Sequence, residues 1–481
     1  MTSWYHVSLN NCLNYPRKRG LYPRYSPKLG MAFGYFCRQV SSTKTIKMKY
    51  KLSRYNIYKA KDGKAIVFNT FSGALVLLDD SEYTKLLNFE DTNIEEAIIE
   101  EWIRLGLIIE ASINETELVN YCRFRDTFTK NTAVYRILTT TCCNARCFYC
   151  YEENYERSTM NMDTAKAVSR FIVNNSKNKQ SITLNWFGGE PLLNPKVITA
   201  ISHDVMEGLK ESKTKIHSSL ITNASLFSDD LIEIAKTQWK ISNVQVTMDG
   251  MKEEHERRKN YTNYPNSFEK TLDVIEKLLA KEINVSIRLN YDRNNVKDIL
   301  TLIPYIRTKY VGNNHLHCYA YPIFNRPDDS LDGIIKNEEV ALYNSIIIRS
   351  LLENGFYNPK HDINTRRTTG CFAVLPNSFV INANGDFFKC SMDMKDKSKS
   401  VGNVHQQLEL SKQFVEWCNP VLQEKCNNCV VLPLCQGGCR AAQKTNTDEN
   451  YCNLKLNVLD FSLLTLLDKN VNLKTDNYEN N

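Results

Sequence analysis

Ten of the sixteen cysteines fall into two blocks whose spacing could do chemistry. The first block is Cys143, Cys147 and Cys150, a C-x3-C-x2-C run within TCCNARCFYCYEEN. The second starts at Cys371, passes Gly385 to Cys390, and resumes at Cys426, Cys429, Cys435, Cys439 and Cys452. Three closely spaced thiolates can hold three irons of a cubane cluster and leave the fourth iron open to a ligand. The other seven can hold further clusters, so the pattern points to redox or radical chemistry. A zinc site or unconnected core cysteines compete for the first block, and a zinc-ribbon-like fold for the second, because C-x2-C also serves zinc. Three ligands on one short loop, with an aromatic Tyr149 just before the last, favour the cluster.

The chain has 481 residues, 42% hydrophobic and 24% charged. That is enough for a large core and about two to four domains. No secretory leader pattern is visible. The longest apolar runs, such as SIIIRSLL, are far too short to span a bilayer. The expectation is a cytoplasmic protein with metal-bound thiolates and no membrane association, not a disulfide-bonded secreted one. Such clusters are oxygen-sensitive, which suits an anaerobic host. The net charge of +7 is unevenly placed: residues 1–61 contain no Asp or Glu and include the run Pro16-Arg17-Lys18-Arg19. Residues 1–47 are expected to be a poorly ordered extension, not a nucleic-acid-binding arm. Met48 is an alternative start.

The elements that must position the cysteines can be read from periodicity. Residues 48–125 suggest a small α+β, winged-helix-like unit. YNIYKA, KAIVFNTF and ALVLLD read as strands. An apolar helical pattern follows Asp80 and Ser81, and a second runs near Ile94–Leu105, capped by Gly106 and closed by LIIE. From 130 to 355, strands alternate with helices. The strands are VYRILTT, ITLNWFGG, KIHSSLIT, NVQVTMDG, NVSIRLNY and HLHCYAYPI. Six such units imply parallel strands joined by crossover helices. Six are too few for a closed eight-fold barrel, so the fold class is α/β with a partial (β/α)6 barrel. Ligands would sit at the C-terminal strand ends. Residues 360–460 are loop-rich, and metal ligation would supply the stability that apolar periodicity does not. Residues 461–481 are expected to be a helix and a polar tail.

With its C-x3-C-x-aromatic-C run directly after the first strand, the chain resembles the radical S-adenosylmethionine (radical SAM) enzymes. The resemblance implies a 4Fe–4S cluster on Cys143, Cys147 and Cys150, whose open iron chelates S-adenosylmethionine. One-electron cleavage then gives a 5′-deoxyadenosyl radical that takes a hydrogen atom from the substrate. Other strand ends resemble the family's cofactor contacts. Gly188, Gly189 and Glu190 look like its GGEP segment, Asn223 its TN turn, and Thr247 and Asp249 its ribose-side segment. Arg288 and Asn290 resemble its fifth-strand residues near the ribose and carboxylate. Tyr149 is the motif aromatic. Taken singly these are weak signals; their order at successive strand ends is specific. Relatives usually carry Arg where Lys259 stands, and no role is assigned there.

The second block resembles the seven-cysteine SPASM pattern, which implies two auxiliary 4Fe–4S clusters. By that pattern Cys426, Cys429, Cys435 and Cys452 hold the outer one, and Cys371, Cys390 and Cys439 the inner one. The inner cluster then either keeps an open iron, or Cys318 or another side chain completes it. The 48–125 unit resembles the peptide-recognition domain of peptide maturases, similar to the small peptide chaperone of the pyrroloquinoline quinone pathway. Such domains bind a leader by adding it to a sheet edge. Together these resemblances imply an enzyme that forms a thioether or other side-chain crosslink in a ribosomally made precursor peptide, fed by a flavodoxin- or ferredoxin-type electron donor. One alternative is an anaerobic sulfatase-maturating enzyme, although Ser391 stands where that group has an Asp immediately after the Cys390 position. Another is a non-catalytic iron–sulfur protein for peptide binding or electron transfer. No general acid or base is assigned.

Overall fold

The structure, a computed structural model, describes residues 50–262, 266–324, 333–364, 370–406, 410–419, 421–445 and 448–475. The basic segment 1–47, the alternative start Met48 and the polar tail after 475 lie outside the described residues.

Fourteen strands form three sheets among the described residues. β1 (Tyr50–Leu52) pairs with β5 (Ile108–Glu110), and β2 (Asn56–Lys61), β3 (Lys64–Asn69) and β4 (Leu75–Asp79) form an antiparallel sheet in that order. α1 (Asp80–Leu87) starts at a capping box in which Asp79 accepts from the Glu82 amide and Glu82 accepts from the Asp79 amide. α2 (Glu96–Leu105) ends at Gly106, whose φ of 72° supplies the left-handed cap. Leu78, Leu86, Ile99, Trp102 and Leu107 form the core of this unit.

The unit is joined to the rest by α3 (Glu115–Thr129), a helix the sequence periodicity does not announce. Its buried positions are Glu115, Val119, Cys122, Arg123 and Thr127, whereas Tyr121, Phe124 and Phe128 are exposed. Polar Glu115, Arg123 and Thr127 share the buried face with Val119 and Cys122 while aromatic residues point outward, so no clean apolar stripe marks the helix.

Six parallel strands follow in consecutive order: β6 (Thr132–Leu138), β7 (Ser181–Phe187), β8 (Lys215–Thr222), β9 (Ile241–Met248), β10 (Asn284–Tyr291) and β11 (Leu316–Pro322). Alternate residues on a strand point to opposite faces. Leu184, Trp186, Val244, Val246 and Ile287 join helix residues such as Ile172, Ile201 and Ile275 in one apolar core. The other face is polar and half-buried. There Arg136 bonds Asn185 at 3.1 Å, Asn185 bonds Ser219 at 2.8 Å, and Tyr319 bonds Gln245 at 2.9 Å. A mixed α/β fold with a central parallel sheet is therefore present.

The cysteine-rich segment does not stand apart from the barrel. β12 (Phe379–Ile381) pairs in parallel with β6, and β13 (Asp386–Phe388) and β14 (Gly402–Asn403) continue the sheet antiparallel to nine strands. The last helix, Glu449–Thr475, begins well before residue 461 and carries Cys452, which the sequence placed in a loop. Its Leu459, Leu463, Leu466 and Leu467 pack on Ile66 and Phe68 of β3. Lys59–Asp460 (3.1 Å) and Lys61–Asp468 (2.9 Å) flank that contact. These ion pairs are exposed and screened by water, so the apolar contact dominates. Among the described residues no helix is long and apolar enough to cross a membrane.

Candidate active site at the strand ends

The first cysteine loop leaves β6 and is held from two sides. On one side Arg146 N donates to Lys259 O (3.0 Å), Thr262 N donates to Asn144 O (2.9 Å), and Ala145 bridges to Tyr261. On the other, Glu190 N donates to Cys142 O at 2.8 Å. A Cβ on Gly189 would lie 2.1 Å from Cys142 O, and one on Gly188, at φ 128°, 2.5 Å from Thr140 O. The two glycines are therefore required by close approach of the cysteine loop's own backbone.

Glu190 is fully buried at the end of this turn. Its Oε1 accepts from Leu192 N (3.0 Å) and Thr222 Oγ1 (2.8 Å), and its Oε2 from Asn223 N (2.8 Å). Burial pushes its pKa up to about 7 against these donors. Asn223 Nδ2 donates to Asn144 Oδ1 at 2.9 Å and lies 3.9 Å from Cys143 Sγ. Glu190 thus fixes the turn that carries Asn223, and Asn223 reaches the cysteine loop.

Opposite stands a second group. Tyr149 donates its hydroxyl to Asp249 Oδ2 at 2.5 Å. Lys259 Nζ lies 2.9 Å from that hydroxyl and 3.4 Å from the carboxylate. Burial works against the Lys259 charge, but Asp249 and the Cys147 sulfur hold its pKa above the usual lysine value. Asp249 Oδ1 is buried and has no hydrogen-bond partner. Lys259 is the residue that sequence reasoning missed. Its departure from the family's Arg removed the signal that would have placed it here.

Thr247 lies on the inner barrel face in register with Arg288. Asn290 is close to the Tyr149 hydroxyl, and its Oδ1 accepts from Arg288 Nε at 2.9 Å. The Arg288 guanidinium leaves the Tyr149–Asp249–Lys259 group and stacks 4.8 Å over the Tyr321 ring. Tyr321 and Phe324 lead on to Tyr451, whose ring lies 5.2 Å from Phe324. Tyr451 is within electrostatic reach of both Arg288 and the sulfurs of Cys439 and Cys390. The barrel face and the C-terminal cysteines thus meet across Arg288, Tyr321 and Tyr451.

The ten cysteines fall into three sets by mutual electrostatic reach. Cys143, Cys147 and Cys150 form one, Cys371, Cys390 and Cys439 a second, and Cys426, Cys429, Cys435 and Cys452 a third. Burial pushes Cys143 and Cys390 up to about 12 and Cys150 and Cys435 to about 11. As free thiols these groups hold their protons, so metal loading must displace them. Among the described residues no three Cys, His, Asp or Glu side chains converge on one ion position. A cubane, in which every thiolate holds its own iron, does not require the thiols to converge on a single ion. The unpartnered Asp249 Oδ1 would accept a hydroxyl such as that of a ribose.

Cys318 does not complete the second set. It is buried in the apolar core, on the face of β11 opposite Tyr319 and Tyr321, and only burial raises its pKa. Cys418 is buried beside Lys389. Asp393 follows Ser391 but is buried, with its carboxylate accepting from Trp417 Nε1 at 3.1 Å.

Comparison with known proteins adds a family. Residues 137–305 match the radical SAM superfamily. The chain is 24% identical to the radical SAM cyclopropyl synthase TigE of Paramaledivibacter caminithermalis over 81% of this chain and 89% of that protein. It is 21% identical to a cysteine-type anaerobic sulfatase-maturating enzyme of Clostridium novyi over 69% of this chain and 93% of that one. The fold is shared with the solved structure of native anSMEcpe with bound AdoMet and Cp18Cys peptide. That match has a TM-score of 0.55 at 18% identity and covers 71% of this chain and 99% of that one.

Proposed function

The chain belongs to the radical S-adenosylmethionine superfamily, with 4Fe–4S and S-adenosylmethionine as cofactors, and we propose that it forms a thioether or other side-chain crosslink in a ribosomally synthesised peptide. The observation that carries this reading is the division of ten thiols into sets of three, three and four, the middle set facing the polar barrel. When bound, the first cluster and S-adenosylmethionine supply a carbon radical that abstracts hydrogen. The chain's own residues do the rest. Cys143, Cys147 and Cys150 hold that cluster, and Gly188, Gly189, Glu190 and Asn223 fix its loop. Tyr149, Asp249, Lys259 and Asn290 line the adjoining space, where Asp249 Oδ1 accepts a ribose hydroxyl. Arg288, Tyr321 and Tyr451 wall the space between the barrel and the inner set, where the peptide lies. With Cys318 turned into the core, the inner set offers three thiolates, which suits an iron left open to a substrate thiolate.

The unit around β2–β4 receives the leader in this reading. The last helix covers the face of this sheet that carries Lys59, Ile66 and Phe68, and strand addition would use one of its two edges, β2 or β4. A flavodoxin- or ferredoxin-type protein delivers the electrons. Relatives among sulfatase-maturating enzymes support formylglycine formation as a second reading. It ranks lower because Ser391 follows Cys390 and the Asp393 carboxylate is engaged by Trp417.

The test is anaerobic reconstitution with S-adenosylmethionine, a reductant, and Cys-rich peptides encoded by short reading frames beside the gene. The expected result is 5′-deoxyadenosine together with a peptide lighter by two hydrogens per crosslink. Absence of 5′-deoxyadenosine with iron well below about eight atoms per chain overturns it.

A further inference from the structure

We infer that Arg123, on the helix joining the N-terminal unit to the barrel, is the counter-charge of the outer four-thiolate cluster and sets its reduction potential. The inference rests on the cluster reading above. Arg123 is 6% exposed. Its Nη1 donates to Asn120 Oδ1 (3.1 Å) and its Nη2 to Gln436 O (3.2 Å), both neutral acceptors. Among the described residues no Asp or Glu pairs with it. Its like-charged neighbour is Arg440, and the acidic groups within its electrostatic reach are Cys426 and Cys435.

The packing around it is consistent with a built site. Val119 and Cys122 of α3 pack with Leu432, Cys426 and Cys429, and Thr116 Oγ1 donates to Asn427 O at 3.3 Å. α3 therefore lies along the loop that carries the outer set. A cavity lined by Arg123, Gln436, Arg440 and Cys371 continues from the guanidinium toward the inner set. Arg123 thus stands between the two auxiliary sets.

A buried guanidinium without a counter-charge is strongly unfavourable. A cubane held by four thiolates is net anionic and gains a further negative charge when it takes up an electron. Bound at Cys426, Cys429, Cys435 and Cys452, it pairs Arg123, and the fixed cation in turn favours the reduced state. Arginine suits this task because it stays charged at any working pH.

The experiment is a redox titration of the reconstituted full-length holoenzyme, followed by electron paramagnetic resonance, with iron content measured in parallel. Signals of the outer cluster are assigned by their loss in Cys435→Ala. A unit charge at about 10 Å, at an effective dielectric near 20, shifts such an equilibrium by roughly tenfold. In Arg123→Met the reduced-to-oxidised ratio of the outer cluster at fixed potential is expected to fall about tenfold, or ~59 mV for one electron. The first cluster is expected to be unchanged, and Arg123→Lys to stay close to wild type. Outer-cluster iron lost in Arg123→Met but kept in Arg123→Lys also supports the inference. A wild-type potential in Arg123→Met, or equal loss of iron or potential in both variants, overturns it in favour of a packing role. A wild-type protein holding only the first cluster defeats the auxiliary-cluster reading itself, a result that iron content distinguishes from the others.

Discussion

Replacing Lys259 with Met tests whether the Tyr149–Asp249–Lys259 group is an energetic unit. The Lys259 ammonium and Asp249 carboxylate lie 3.4 Å apart, with side chains 4% and 0% exposed. At an effective dielectric of about 20, two unit charges at that distance attract by roughly 5 kcal/mol. Breaking a buried pair from one side costs about 3–5 kcal/mol, because the remaining charge stays buried without its partner. Tyr149 continues to donate to Asp249 after the substitution, so the expected loss is at the low end, about 3 kcal/mol. Lys259→Met combined with Asp249→Asn removes both charges. Its loss should fall short of the summed single losses by about 2 kcal/mol. Urea denaturation of all four proteins without cofactors, under anaerobic conditions, measures the cycle. Lys259→Arg should lose no more than about 1–2 kcal/mol, since it keeps the charge and adds only bulk. Single losses that add to within about 0.5 kcal/mol would refute the coupling.

Three further outcomes follow from the same geometry. Arg258 and Asp292 are both fully buried and pair at 2.7 Å, so Arg258→Met should cost about 3–5 kcal/mol in thermal or urea unfolding; a loss below 1 kcal/mol would show that the carboxylate finds other partners. His255 is fully buried with neither ring nitrogen bonded, and burial pushes its pKa down to about 4. The unfolded chain therefore binds a proton that the folded one does not. Its contribution is fully present above about pH 6.5 and is lost as pH falls toward 4, by roughly 3 kcal/mol. His255→Phe should flatten that part of a stability-against-pH profile, and an unchanged acid slope would refute the assignment. Gly189→Ala places a methyl 2.1 Å from Cys142 O; it should dislodge the first cysteine loop and remove about a third of the iron while leaving the C-terminal sets loaded.

The central parallel sheet was legible because its strands are apolar on one face and its motifs fall at strand ends, where residue spacing fixes position. VYRILTT through HLHCYAYPI each coincide with an observed strand to within two residues at either end, and the three strands and two helices of the N-terminal unit follow from alternation, capping and turn residues. α3 was not legible because Glu115, Arg123 and Thr127 occupy its buried face, while Tyr121, Phe124 and Phe128 face outward. No apolar stripe marks a helix whose neighbours are cysteine loops. β12 escaped because a three-residue strand, FVI, has too few positions to show a period. In the site, Asp249 and Tyr149 were found through motif order, but the Lys that pairs them was set aside for not being Arg. The four-and-three division of the C-terminal thiols is what the resemblance to the SPASM pattern implies, whereas the exclusion of Cys318 required knowing which face of β11 it occupies.

The contact between β3 and the last helix has a consequence for the order of events during synthesis. Ile66 and Phe68 are covered by Leu459, Leu463, Leu466 and Leu467, partners that leave the ribosome nearly 400 residues later. At about 5–20 residues per second, that interval is roughly 20–80 s. Through it the first sheet emerges with one apolar face bare, while the cysteines of all three sets are translated after it. The same terminal helix that closes this face also carries Cys452, the last cysteine of the proposed outer set. Completion of the outer thiol set and burial of the first sheet are therefore one late step, and a nascent chain stalled before residue 449 lacks both.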